Sequence, residues 1–133
     1  PNYEVPVAGH RFPLAMISPP ARNFLNSSFV NVESLRAIEK EPLIEICFED
    51  ASARGIATGD TVKVFNDRGE YHCKADVTSR ARPGVVNGLG IWWRKMGLNG
   101  TNVNEVTSQL LTDLGRAPVF YDCQVEVALL KKA

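Results

Sequence analysis

The chain is 133 residues long, the size of one domain with a core of its own, and its 15 Lys+Arg against 15 Asp+Glu leave a formal net charge of zero. That balance excludes a long-range field drawing the chain onto nucleic acid or an anionic membrane, so an anionic ligand has to be held by local contacts. No apolar run reaches membrane-spanning length, and the dispersed Cys47, Cys73 and Cys123 lack the spacing of a zinc or iron–sulfur site, so they read as buried free thiols.

In chain order, residues 1–11 carry two prolines, Gly9 and His10 without periodicity and read as an entry arm or linker; residues 12–133 read as the domain. The first residue is Pro rather than Met, and no signal-peptide pattern follows, as expected of a piece excised from something longer. Phe12 to Ile17 is a short apolar strand, and Pro13 near its start places it at an edge or entry position. Ser18-Pro19-Pro20 breaks it, and Asn23 to Asn31 mixes amides and hydroxyls with large apolar side chains, the composition of a loop that packs its aromatics inward. Asn31 is placed to cap a short helix with Val32, Leu35 and Ile38 at three-residue spacing.

Leu43 to Phe48 is the second strand, with Ile44, Ile46 and Phe48 on one face. Asp50 is then expected to cap a turn through Ala51, Ser52 and Ala53, Gly55 to stop it at positive φ, and Gly59-Asp60 to turn the chain into Thr61–Val64. Asn66-Asp67-Arg68-Gly69 reads as a hairpin turn ending on a positive-φ glycine, and Glu70 to Val77 as the most regular alternating strand. Val85-Val86 leads into Asn87-Gly88-Leu89-Gly90-Ile91-Trp92-Trp93, where glycines allow close approach and aromatic faces give cover. Gly97 to Leu114 is a long polar stretch of the kind usually kept for function, and Phe120 to Leu130 closes the chain as a strand. About six strands, short helices, no βαβ rhythm and no internal repeat predict a mainly β, barrel-like domain.

Catalytic machinery is sparse. His10 and His72 neighbour no candidate nucleophile, no G-x-S-x-G or P-loop is present, and Gly88-Leu89-Gly90 lacks the rest of a dinucleotide fingerprint. Binding features are denser: Ser18–Asn31, Asn87–Lys95 and Gly97–Tyr121 are loops rich in neutral donors, glycines and aromatics, suited to gripping an extended polar ligand.

Several segments, in this order, resemble the C-terminal molybdopterin-dinucleotide-binding domain of the bis-pterin molybdenum or tungsten oxidoreductases, of the formate dehydrogenase and dimethyl sulfoxide reductase type. They are Pro13–Ser18, Leu25–Phe29, Asp50–Ile56 with Gly59–Val62, Asn66–Gly69, Pro83–Val86, Ile91–Trp93, Asn104 with Thr107, and Gly115 with Pro118. The resemblance implies a six-stranded double-psi β-barrel that positions molybdopterin guanine dinucleotide while other domains ligate the metal. It also implies the remaining domains of a large chain as partners, with iron–sulfur electron-transfer subunits beside them, and a bacterial or archaeal setting in the cytoplasm or periplasm. By the same analogy Ser18, Pro19, Arg22, Asn26 and Ser27 would line the cofactor with hydroxyls and amides. Trp92 and Trp93 would pack near it, Asn104 would hydrogen-bond the pterin or phosphate, and Phe120 and Tyr121 would form the rim. Tyr121 and Pro19-Pro20 depart from the basic residue and the Thr-Gly-Arg form common in relatives.

The same barrel has other uses. A self-processing aspartate decarboxylase needs a Gly-Ser bond, and none exists here. A stand-alone barrel subunit, as in formylmethanofuran dehydrogenase, would fit the size. The alternative function is a protein-docking module of the ATPase amino-terminal-domain type, which would not need the Asn/Ser/Trp-rich loops.

Overall fold

The computed structural model describes residues 11–133, so all but the last residue of the expected entry arm, His10 included, lies outside the described residues. Six strands close into a barrel: β1 Leu14–Ile17, β2 Leu43–Ile46, β3 Thr61–Phe65, β4 Glu70–Val77, β5 Val85–Leu89 and β6 Cys123–Lys131. Two short helices, α1 Glu33–Glu39 and α2 Phe48–Ala53, flank β2. Around the barrel the order is β1-β5-β2-β4-β3-β6, with β1–β5 and β2–β4 parallel and the other pairs antiparallel. Exchanging β1 with β4, β2 with β5 and β3 with β6 reproduces every neighbour and every direction. The topology therefore has an internal twofold that the sequence, without a repeat, does not display.

The core follows from period-2 alternation, because successive strand side chains point to opposite faces. Leu14, Met16, Ile44, Ile46, Val62, Val64, Val86, Val125 and Val127 fill the barrel interior, each at 1 % exposure or less. Burying one such side chain contributes about 1.5–3 kcal/mol over leaving it in water. A second cluster, Ala21, Phe24, Val30 and Trp92, packs outside the barrel with Leu35, Leu89, Trp93 and Met96 against it. Closure of the barrel removes free sheet edges, so Pro13 stands just before β1 as an entry residue and not on an edge strand.

Local expectations were corrected in four places. β2 stops at Ile46 and Phe48 opens α2 with its ring exposed, because Cys47 takes the extended N-cap conformation and turns the chain. Asp50 accordingly lies inside the first turn of α2 and does not cap it; its carboxylate accepts from the Gly84 amide at 2.7 Å across the end of the barrel. Val32, not Asn31, is the N-cap of α1. Gly69 does not have positive φ; a Cβ there would sit 2.9 Å from the Glu105 carbonyl oxygen, so close backbone approach is what requires glycine. Gly55 and Gly59, by contrast, have φ of +64° and +90° as their turns require.

At the Gly59 turn, Asp60 is almost fully buried and accepts from the Ala57 amide, the Ala133 amide and the Lys132 ammonium. Those bonds, the backbone amides first, hold its carboxyl down at about 2. Glu45 is buried on β2, where Arg80 Nε, at 2.6 Å, and Asn87 Nδ2, at 2.9 Å, cover its two oxygens. All three cysteines are buried and free. Among the described residues no helix is long and apolar enough to cross a membrane.

Candidate functional site

Register decides which loops meet. The C-terminal ends of β1 and β5 lie side by side, with Ile17 opposite Asn87, and Met16 faces Cys123 at the start of β6. Phe65 at the end of β3 stands opposite Glu70 and Glu126, so the β3–β4 turn closes at that same end. One end of the barrel therefore gathers the loops after β1 and β5, the β3–β4 turn and the chain entering β6. The opposite end holds α2, the Gly59-Asp60 turn and residues 78–84.

Each loop at the first end is tied down. Leu25 and Ser28 exchange backbone hydrogen bonds at 3.2 and 2.8 Å around a two-residue turn, and Asn26 at its tip takes φ +51°, which asparagine tolerates better than most residues. The Glu39 carboxylate accepts from both the backbone and the side-chain amide of Asn23, and the Trp93 indole donates to the Ser27 carbonyl at 2.7 Å. Gly90, at φ +70°, donates to the Pro19 carbonyl, and a Cβ there would meet Ala21 at 3.1 Å.

Asn102 then organises the next segment. Its side-chain amide donates to the Trp92 carbonyl at 2.8 Å while its oxygen accepts the Asn104 amide, capping a 3₁₀ turn over Val103–Glu105. The carbonyl of Val106 accepts from Asn66, Arg68 and the Cys123 thiol, fixing the chain before Thr107 and Ser108. Burial pushes that thiol up to about 11, so it stays protonated and able to donate.

Two clefts result. The first, about 420 Å³, is lined by Ser18, Asn26, Ile91, Asn104, Thr107, Ser108, Pro118, Phe120 and Tyr121. It carries no charged lining residue among the described residues, and the Phe120 and Tyr121 rings pack against each other at 4.4 Å on its rim. The second, about 790 Å³, shares Asn104, Thr107 and Ser108 with the first and adds Arg68, Arg94, Asn102, Glu105, Gln109 and Leu110. The shared residues make one composite groove with a neutral aromatic arm and a polar, cationic arm.

Of the residues singled out by resemblance, Ser18, Asn26, Asn104, Phe120 and Tyr121 meet in the first cleft. Pro19, Arg22, Ser27 and Trp93 stand outside its lining: Pro19 and Ser27 offer carbonyls to Gly90 and Trp93, Arg22 is exposed, and Lys95 lies over the Trp93 ring. Trp92 is buried in the second core cluster, edge-on to Phe24 at 5.1 Å, so its indole supports the loop from beneath. Arg68, Arg94, Ile91, Thr107, Ser108 and Pro118 complete the groove without having been singled out as site residues. Arg68, Ile91, Thr107 and Pro118 stood within the matching segments, but nothing local shows that the turn carrying Arg68 faces the groove.

The model of the family described as "Molydopterin dinucleotide binding domain" matches residues 14–124. Among curated proteins the chain is 35% identical over 127 residues to "Probable oxidoreductase YoaE" of Bacillus subtilis, covering 96% of this chain and 18% of that protein. It is also 35% identical over 119 residues to "Dimethyl sulfoxide reductase DmsA" of Escherichia coli, covering 86% of this chain and 14% of that protein. Among solved structures, "Acetylene Hydratase from Pelobacter acetylenicus" superposes with a TM-score of 0.74 at 14% identity, over 88% of this chain and 18% of that one, a likeness of fold. The chain thus spans under a fifth of the length of these relatives. With a matching barrel, a groove built from the loops at one end and a family match over most of its length, the chain belongs to the molybdopterin dinucleotide binding domain family.

Proposed function

We propose that the chain holds molybdopterin guanine dinucleotide as one domain, residues 12–133, of a larger molybdenum- or tungsten-dependent oxidoreductase. The observation carrying this reading is the composite groove: neutral donors at Ser18, Asn26, Asn104 and Thr107, a paired aromatic rim, and arginines on the adjoining arm. Such a lining fits a long ligand with heteroaromatic ends and a charged middle, so the residues present fit the group. The relatives named as oxidoreductases support the wider activity, and their length supports partners within the same polypeptide. Iron–sulfur electron-transfer subunits are part of the same reading. The pseudo-twofold strand order supports the double-psi form of the barrel.

When bound, the cofactor supplies metal-centred electron transfer. This chain contributes position. Asn102 holds the Asn104 backbone, Asn104 in turn accepts from the Thr107 hydroxyl, and the tight Leu25–Ser28 turn carries Asn26, so the backbone that presents these groups is positioned beforehand. Phe120 and Tyr121 would cover a planar ring and keep water from it, while Pro19, Ser27, Trp92 and Trp93 brace the loops behind the lining and Arg22 stays exposed outside it. Among the described residues no group of three or more His, Cys, Asp or Glu forms a metal-binding cluster. The proposed division leaves metal ligation to other domains.

The test is metal analysis of the full-length natural protein with mass spectrometry of the nucleotide released on denaturation. Molybdenum or tungsten with stoichiometric guanine nucleotide is expected. A folded full-length protein that acquires neither in a cell making both would overturn the reading and favour a docking module.

A further inference from the structure

Resting on that reading, we propose that the cofactor's diphosphate lies in the arm lined by Arg68 and Arg94, with one ring end of the dinucleotide in the neutral aromatic arm. A dinucleotide carries its negative charge at the diphosphate, and its two ends are planar rings. The 420 Å³ arm has a lining without a charged residue and an aromatic pair on its rim. Placing a diphosphate there would strip it of water with no cation in return. The adjoining arm is lined by two guanidinium groups and one carboxylate, Glu105, which pairs with Arg94, leaving a net positive lining. The overall charge of zero gives no diffuse attraction that could substitute.

The two arginines are also held in place. Arg68 Nη1 donates to the Val106 carbonyl at 3.3 Å, and Arg94 Nη2 donates to Glu105 Oε1. Their anchors, the Glu105 carboxylate and the Val106 carbonyl, belong to consecutive residues at the end of the 3₁₀ turn. Each spends one of its five N–H donors on that anchor among the described residues, which leaves a fork suited to bidentate phosphate contact. Asn104 and Thr107 belong to both arms, and so a ligand gripped at the diphosphate passes them before one ring end reaches Phe120 and Tyr121.

The experiment uses the full-length protein purified from a cell that makes the cofactor, with Arg68→Gln, Arg94→Gln, the double variant, and Arg82→Gln at the opposite end of the barrel. Metal and guanine nucleotide per chain, and the rate of nucleotide release at low and high salt, are measured. Each single variant is expected to release nucleotide roughly ten-fold faster or more, in line with loss of a charge-assisted phosphate contact. The double variant is expected to lose most of the salt dependence, and Arg82→Gln to match the parent. Arg68→Lys and Arg94→Lys should recover part of the retention. Wild-type content and release rate in the double variant would overturn the assignment. If Arg68→Gln fails to fold, Arg94→Gln decides alone, and an unchanged release rate there overturns it. A parent protein without metal or nucleotide overturns the proposed function itself, which separates the two failures.

Discussion

Asn66 Nδ2 donates to the Val106 carbonyl at 2.8 Å and to the Gln124 carbonyl at 3.0 Å, so one amide at the β3–β4 turn fastens both the groove segment and the start of β6. Forty residues separate Asn66 from Val106, and the amide substitutes for strand pairing that the irregular segment cannot make. Asn66→Ala removes both bonds; the Val106 carbonyl keeps Arg68 and Cys123 as donors while the Gln124 carbonyl loses this one, and stability should fall by about 1–3 kcal/mol. Denaturant unfolding would measure this. Hydrogen exchange should quicken from Val106 to Leu110 before the barrel strands, because the loss is local.

Gly69 tests the same junction from the other side. Because an added Cβ would lie 2.9 Å from the Glu105 oxygen, Gly69→Ala should push the 3₁₀ turn away and cost about 1–3 kcal/mol. Gly55→Ala meets nothing within 4 Å but inherits a φ of +64°, and should cost about 1 kcal/mol through backbone strain alone. Only the Gly69 variant should loosen nucleotide retention in the full-length protein, since Gly55 lies at the far end of the barrel.

Acid stability should depend on Asp60. Its folded pKa, about 2, is below the ordinary 3.8, chiefly because the amides of Ala57 and Ala133 donate to it, with Lys132 adding to them. The unfolded chain binds the proton more tightly, so between the two values it takes up more protons than the folded one. The contribution is therefore fully present above about pH 4 and lost as pH falls towards 2. Asp60→Asn should be less stable near neutrality and show a shallower loss over that window in denaturant titrations at stepped pH. An equal acid slope in both proteins would contradict the assignment.

The thiols give a readout of global opening. Burial raises the Cys73 thiol far above its ordinary range and Cys123 to about 11, and it also raises Cys47. The thiolate is the reactive form, so a disulfide reagent at neutral pH should label the described domain slowly in its native state. All three cysteines should react together as denaturant crosses the unfolding transition. Fast labelling of Cys123 alone would show that the start of β6 opens by itself.

Much of the barrel was legible in local pattern. Glu70 to Val77 alternates strictly, and β4 occupies those residues with Tyr71, Cys73 and Ala75 buried. Period 2 cannot extend past a conformational break, which is why Phe48 continued the pattern of β2 on paper yet turned out of the sheet after Cys47. Trp92 was ambiguous for a related reason. An aromatic beside glycines serves equally as a wall or as a core residue, and contact with Phe24, Val30 and Ala21 made it the latter.

The sequence by itself determined the number of strands, their inward faces, the burial of the thiols and the neutral charge that confines anion binding to local contacts. These depend on residues within a few positions of one another. Only the tertiary structure decided that Arg68 and Arg94 share a cleft with Asn104, and that α2 and the Gly59-Asp60 turn stand at the opposite end from the groove. It also decided that Glu45 is covered by Arg80 and Asn87. Such placements arise from register between strands far apart in the chain, a long-range quantity that local alternation constrains in face but not in partner.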